Sequence, residues 1–316
     1  MELQYVNTVE AVRARQLASV ERLMMSAGSV IELHNEDCLL GMDSFPNGYF
    51  DVIVTSPPYN LGVNYSQYND GIPRNQYLDW LKEVAIKIKE KMRDSGSFFL
   101  NIGSIPTNPW GPFEIITMLR DHFELQNTIH WIKSIFVENE SYGRRQVMNV
   151  GHYKPINGKR FLNDSHEYIF HLTKSGNVPL NRLAIGVPYK DSGNILRWKR
   201  GANQARCRGN AWYIPYKTIQ SRIKQRPHPA TFPSEIAEMC IQLHGLNDNL
   251  IVLDPFMGIG NTSIAAVKLG LNCVGFEIDR EYFEANVKQI ESMMVVNRLE
   301  LAERDSNSFQ SPSETT

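Results

Sequence analysis

Apolar and polar positions change rhythm three times along this chain. Between residues 30 and 135, short apolar runs alternate with stretches of helical period. Val30-Ile31-Glu32-Leu33-His34 and Phe50 to Thr55 read as strands, and from Tyr77 to Met92 the residues Leu78, Leu81, Ala85 and Ile88 share one helical face. Ser97 to Ile102 predicts a buried strand, Phe113 to His122 a helix, and Gln126 to Trp131 a further strand. This is the rhythm of a parallel sheet with crossover helices. Residues 136–226 lose it: they are rich in Gly, Asn, Pro and Arg, with Glu167 to Leu172 as a predicted strand. So long an irregular stretch in a compact protein implies a purpose, and it reads as a binding insert. From residue 227 the order returns, with helices predicted over Ser234 to His244, Thr262 to Leu269 and Glu281 to Leu299. Strands are predicted at Leu250 to Leu253 and Cys273 to Phe276. Residues 1–29 read as an amphipathic N-terminal arm or helix and 301–316 as a polar, disordered tail. No internal repeat is evident.

Composition changes this picture little. The 316 residues are 42% hydrophobic and 21% charged, as in an ordinary globular protein. No run approaches the roughly 18 apolar residues of a membrane span. Cys38, Cys207, Cys240 and Cys273 lie far apart without a CxxC pair, so neither a metal site nor a disulfide framework is expected, and a reducing cytoplasm is. Charge matters more. The net charge of −1 argues against nucleic acid, yet from Arg197 to Arg226 there are nine Lys or Arg and no Asp or Glu. Trp198, Trp212, Tyr213 and Tyr216 are interleaved among them, a pattern that suits a phosphate-contacting surface as well as a solvated basic face.

Two loops carry candidate chemistry. Thr55-Ser56-Pro57-Pro58-Tyr59-Asn60 directly follows the apolar run Val52-Ile53-Val54. Neither proline has an N–H, so the strand stops abruptly at the carboxyl edge of the sheet, where open α/β sheets bind ligands. The result is a stiff rim of bare carbonyl oxygens with a hydroxyl on one side and a phenol on the other. It suits a flat group bearing an amine, whose ring stacks on Tyr59 while its N–H bonds reach Ser56 and the Pro57 carbonyl. The second loop, Asp254-Pro255-Phe256-Met257-Gly258-Ile259-Gly260-Asn261-Thr262-Ser263, follows an apolar strand and opens a helix. Its glycines permit a tight turn and close ligand approach. The following strand ends at Glu277, placed to accept two ribose hydroxyls. Asp254 would repel a pyrophosphate and no third glycine follows, so an amine-bearing ligand fits better than a dinucleotide.

Together, Ser56-Pro57-Pro58-Tyr59 and Phe256-Met257-Gly258-Ile259-Gly260 resemble the catalytic and cofactor motifs of the S-adenosylmethionine-dependent DNA methyltransferases that modify exocyclic amino groups. Catalytic before cofactor motif is the order of the circularly permuted beta group, with target recognition between them. The resemblance covers about residues 30–295 and implies a Rossmann-like α/β fold, with a mostly parallel seven-stranded sheet and helices on both faces. It divides the chain into a catalytic half over 30–135, a target-recognition insert over 136–226 and a cofactor-binding half over 227–300. It implies S-adenosyl-L-methionine as cofactor, held by Asp37, Thr231, Asp254, Phe256, Gly258, Gly260, Asn261, Thr262 and Glu277. Double-stranded DNA is the implied partner, with Arg144, Arg145, Arg197, Arg200, Arg206 and Arg208 as candidate contacts. A cognate restriction endonuclease and a homodimer are consistent with it, a membrane is not.

Ser at the first motif position accompanies N4-cytosine methylation in this superfamily, whereas Asp or Asn accompanies N6-adenine methylation. The expected activity is therefore transfer to the N4 amine of a flipped cytosine, with N6-adenine as the alternative. No cysteine follows a proline, which disfavours a covalent carbon-5 mechanism. An RNA or protein-glutamine methyltransferase and a silent DNA-binding protein on the same scaffold remain rival readings.

Overall fold

In the computed structural model, the described residues are 19–25, 28–60, 70–105, 108–139, 145–150, 159–162, 164–189, 205–215 and 232–308. In chain order the elements are β1 (Ser19–Met24), β2 (Val30–Asn35), α1 (Cys38–Gly41), β3 (Phe50–Thr55), α2 (Arg74–Lys91), β4 (Met92–Ile102) and α3 (Gly111–Leu119). Then come β5 (Glu124–Asn139), β6 (Arg145–Val150), β7 (His166–Thr173), the short β8 (Val187–Pro188) and β9 (Ala205–Arg206), and β10 (Ala211–Pro215). The chain closes with α4 (Ser234–His244), β11 (Ile251–Asp254), α5 (Asn261–Leu269), β12 (Asn272–Phe276) and α6 (Arg280–Ser308).

The main sheet runs β1-β2-β12-β11-β3-β4-β7-β5-β10, with β6 paired to β5. Strands β2 through β5 of that path are the seven expected. Neighbours from β2 to β4 pair in parallel, and β7 runs antiparallel between β4 and β5. β1 and β10 extend the two edges.

Alternation along the strands sorts two cores. Ile53, Phe98, Leu100 and Ile102 face Tyr77, Leu81, Val84 and Ile88 of α2 and Ile115 and Leu119 of α3. Val52, Val54 and Phe99 face the other way, toward Ile236 and Cys240 of α4, Ile264 of α5 and Ile290 of α6. The chain leaves β3 through α2 on one face and β11 through α5 on the other. The seam between these adjoining strands is the topological switch point, where open sheets take ligands.

Several local expectations change. Part of the N-terminal arm, Ser19–Met24, is an edge strand antiparallel to β2 rather than a helix. β4 begins at Met92, straight from the end of α2, and β5 continues to Asn139 because its second half pairs with β6. α6 continues to Ser308, into the segment expected to be a disordered tail. Trp212 is 0% exposed, the indole donating to the Gly209 carbonyl, so it is a core residue and not part of a phosphate-facing surface. Tyr213 is exposed, while Trp198 and Tyr216 lie outside the described residues.

Candidate functional site

The two motif loops meet. β3 and β11 pair in parallel with Val52 opposite Val252 and Ile53 opposite Leu253, so both strands end at one edge of the sheet. Two bonds stitch the loops there: Thr55 Oγ1 donates to Asp254 Oδ1 at 2.6 Å, and Thr262 Oγ1 donates to the Val54 carbonyl at 3.3 Å. Asp254 is 1% exposed, and its Oδ1 also accepts from Phe256 N. Burial pushes its carboxyl up to about 6, against the hydrogen bonds from Thr55 and Phe256. The bonds to its Oδ1 shape the turn.

Gly258 and Gly260 have φ of 53° and 86°, the left-handed region that favours glycine. At Gly260 a Cβ would lie 2.0 Å from Asn286 Oδ1, so a buried side chain of α6 packs directly under the loop. Asn286, not anticipated from sequence, also donates to Met257 Sδ at 3.1 Å. Asn261 Nδ2 ties the start of α5 to the Phe232 carbonyl at 2.6 Å. Phe256 packs on Trp80 with ring centroids 5.4 Å apart.

Glu277 follows β12 on the same edge. Its Oε2 accepts from Gly258 N and its Oε1 from Asp279 N, each at 2.8 Å. Burial pushes its carboxyl up to about 7, against those two backbone bonds. Each oxygen keeps further acceptor capacity, and the neighbouring Ile278 is 51% exposed. Acceptors for hydroxyls beside an apolar surface, above a glycine turn, fit the nucleoside part of S-adenosylmethionine. Asp37 lies one strand further on. It caps α1, with Leu39 N donating to its Oδ1 at 2.8 Å, and Asn35 Nδ2 donates to the Glu277 carbonyl, which holds the two segments together.

The Ser-Pro-Pro-Tyr rim differs from expectation in two respects. The hydroxyl and phenol are not on opposite sides: Ser56 Oγ and Tyr59 Oη are hydrogen-bonded at 2.6 Å. Nor are all its carbonyls bare, because Tyr77 Oη of α2 donates to the Pro58 carbonyl at 2.7 Å. Asn60 adopts a left-handed φ of 58°, its backbone N–H donating to Asp70 Oδ1 and its Nδ2 to the Asp70 and Ile72 carbonyls. It holds the loop. Beneath Tyr59 lie Asn101 of β4, Glu167 of β7 and Lys133 of β5. Asn101 lies in the strand predicted over Ser97 to Ile102, whereas no local spacing marks Glu167 or Lys133 for this site.

Of the candidate DNA contacts, Arg206 is exposed on β9, and Arg208 Nε donates to the Ile185 carbonyl at 2.9 Å. Arg144, Arg197, Arg200 and Thr231 lie outside the described residues. Arg145 opens β6, and its side chain is outside them too.

A family of DNA methylases, the N6/N4 methyltransferases, matches residues 50–288. The chain belongs to this S-adenosylmethionine-dependent family and is a DNA methyltransferase acting on exocyclic amino groups. It is similar to the type II methyltransferase M.ScaI of Streptomyces caespitosus, 28% identical over 84% of this chain and 82% of that protein. It is also similar to the DNA adenine methyltransferase YhdJ of Escherichia coli, 25% identical over 84% of each. Its fold resembles the cytosine-N4-specific PvuII DNA methyltransferase, at TM-score 0.59 and 18% identity over 81% of this chain and 85% of that one.

Proposed function

We propose that this protein is a site-specific DNA methyltransferase of a type II restriction–modification system, transferring a methyl from S-adenosyl-L-methionine to N4 of a cytosine flipped out of duplex DNA. The observation that carries the proposal is the junction of the two loops, with Thr55 bonded to Asp254 across adjoining strand ends. Glu277 and the turn through Gly258 and Gly260 would hold the nucleoside part, Ile278 lying against its base and Phe256 closing the turn. When bound, the cofactor supplies an electrophilic methyl on its sulfonium.

The remaining work falls to the chain's own residues. An exocyclic nitrogen is a weak nucleophile because its lone pair is delocalised into the ring. Ser56 Oγ and the Pro57 carbonyl accept its N–H bonds and so turn the lone pair toward the methyl, and positioning of this kind contributes several kcal/mol. Extruding the base costs a few kcal/mol, which stacking on Tyr59 partly offsets. Residues 136–226, with Arg144, Arg145, Arg197, Arg200, Arg206 and Arg208, would read and grip the DNA, and a cognate endonuclease would share the site.

The hydroxyl of Ser56 favours cytosine. Adenine N6 is the second reading, favoured by the similarity to an adenine methyltransferase. Methyl transfer from labelled S-adenosylmethionine to duplex DNA, RNA and protein, followed by nucleoside analysis, tests the proposal. Label in N4-methylcytosine is expected. Label in N6-methyladenine would move the assignment to the second reading, and label in RNA or protein alone would end it.

A further inference from the structure

A polar cluster beneath the Ser-Pro-Pro-Tyr loop has no part in the proposed function. Glu167, at the start of β7, has a side chain 12% exposed, and its Oε1 faces Lys133 Nζ at 2.5 Å. Its Oε2 accepts from Asn101 Nδ2 at 2.7 Å and from Tyr59 Oη at 3.1 Å. Asn101 Nδ2 also donates to Tyr59 Oη at 2.8 Å. Gly103 makes room for this convergence, since a Cβ there would lie 2.9 Å from Tyr59 Cε2 and 3.3 Å from Glu167 Cδ.

Counting hydrogens gives the cluster a direction. A phenol has one, and an ionised carboxylate can only accept. With Tyr59 donating to Glu167, the hydrogen in the 2.6 Å contact between Ser56 and Tyr59 must come from Ser56. Ser56 then has no hydrogen left for a ligand, and its Oγ offers lone pairs alone. An exocyclic amine, a donor on either base, meets the acceptor it needs.

We infer that Glu167, braced by Lys133, is a positioning residue that makes Ser56 an obligate acceptor for the target amine and receives the amine's proton through the two hydroxyls. This rests on the reading of Ser56 given above. The transfers balance. The amine's proton passes to Ser56 Oγ, the Ser56 hydrogen to Tyr59 Oη, and the Tyr59 hydrogen to Glu167 Oε2. One proton leaves the base, one arrives on the carboxylate, and both hydroxyls are restored.

Two substitutions test this role. Glu167→Gln cannot take the proton, and because the Lys133 ammonium can only donate, its amide oxygen stays on Lys133 and its NH2 faces Tyr59; Glu167→Ala removes the side chain from both. Steady-state methylation of unmodified duplex DNA and calorimetric binding of S-adenosylmethionine are the readouts. Cofactor Kd and KM for DNA should stay within about threefold of the unsubstituted enzyme, while kcat falls roughly tenfold in E167Q and about a hundredfold in E167A. Adding Tyr59→Phe to E167A should cost less than about threefold more, because the same chain is already cut. If E167A does not fold, E167Q alone decides. An active parent enzyme with kcat unchanged in E167Q, or losses that simply multiply with Tyr59→Phe, would overturn the role of Glu167. A parent enzyme that methylates no DNA amine would instead overturn the reading of Ser56.

Discussion

Gly260 is fixed by two independent demands, a φ of 86° and the absence of space above Asn286. Gly260→Ala should therefore abolish detectable S-adenosylmethionine binding in calorimetry. Gly260→Ala with Asn286→Ala should recover part of it, because clearing the clash leaves only the αL strain of roughly 1–2 kcal/mol. Glu277 makes the opposite kind of prediction. Burial raises its carboxyl from 4.5 to about 7, so the folded protein binds this proton more tightly than the unfolded chain. That contribution to stability is complete below pH 4.5 and is lost as pH rises through 7. Glu277→Gln should accordingly raise stability by on the order of 1–2 kcal/mol at pH 8, with no gain at pH 4, in denaturant titrations at both values. It should also weaken cofactor binding, since an amide replaces one of the two acceptors.

At the scale of elements, the catalytic loop is held from outside. Tyr77 of α2 bonds the Pro58 carbonyl and Asp70 bonds Asn60 beyond it, so α2 and its preceding turn set the rim against β3. Tyr77→Phe removes one buried hydrogen bond, about 1 kcal/mol. Its effect should fall mainly on kcat for DNA methylation, with cofactor Kd unchanged, because the loss is confined to the rim. An equal loss in cofactor affinity would mean that the two loops are not held separately. These elements were legible for a local reason: β3 ends at residues lacking an N–H, and β11 ends in glycines that allow a left-handed turn. Glu167 and Lys133 were not. They come from β7, which pairs with β4, and from β5 on the far side of β7, and nothing in either strand's own pattern signals that meeting. The strand through Trp212 and Ile214 was not read, because the surrounding basic residues gave Trp212 a surface role that its burial excludes.

For the molecule as a whole, a donor chain spans the sheet. Asn127 Nδ2 donates to His171 Nδ1, His171 Nε2 to Ser97 Oγ, and Ser97 Oγ to His244 Nδ1, all at 2.9–3.0 Å. This assignment requires a neutral His171. Burial, with a smaller push from His244, lowers its pKa from 6.5 to about 3. The stability it provides is present above pH 6.5 and is lost as pH falls toward 3, where the unfolded chain binds the proton first. Between pH 7 and 4.5 the loss is opposed by Glu277; below 4.5 it is not, so acid unfolding should steepen there. His171→Gln should be less stable than the parent at pH 7, by a margin that narrows toward pH 4. A constant margin would show that His171 acts through packing alone. A mostly parallel α/β sheet was legible in the two motifs and the strand–helix rhythm. The added edge strands were not: β10 pairs with the distant β5, and β1, although next to β2 in the chain, lies in a segment whose scattered charges read as an amphipathic arm or helix.

In the proposed function, a cofactor loop and a catalytic loop, remote in sequence, form one methyl-transfer site for a DNA amine. Expression in a host free of DNA methylation, followed by single-molecule sequencing of its genome, tests it directly. N4-methylcytosine is expected at one short recurring sequence, lost on Ser56→Ala. A genome with no methylated amino base, in cells holding soluble protein that binds S-adenosylmethionine, would contradict it.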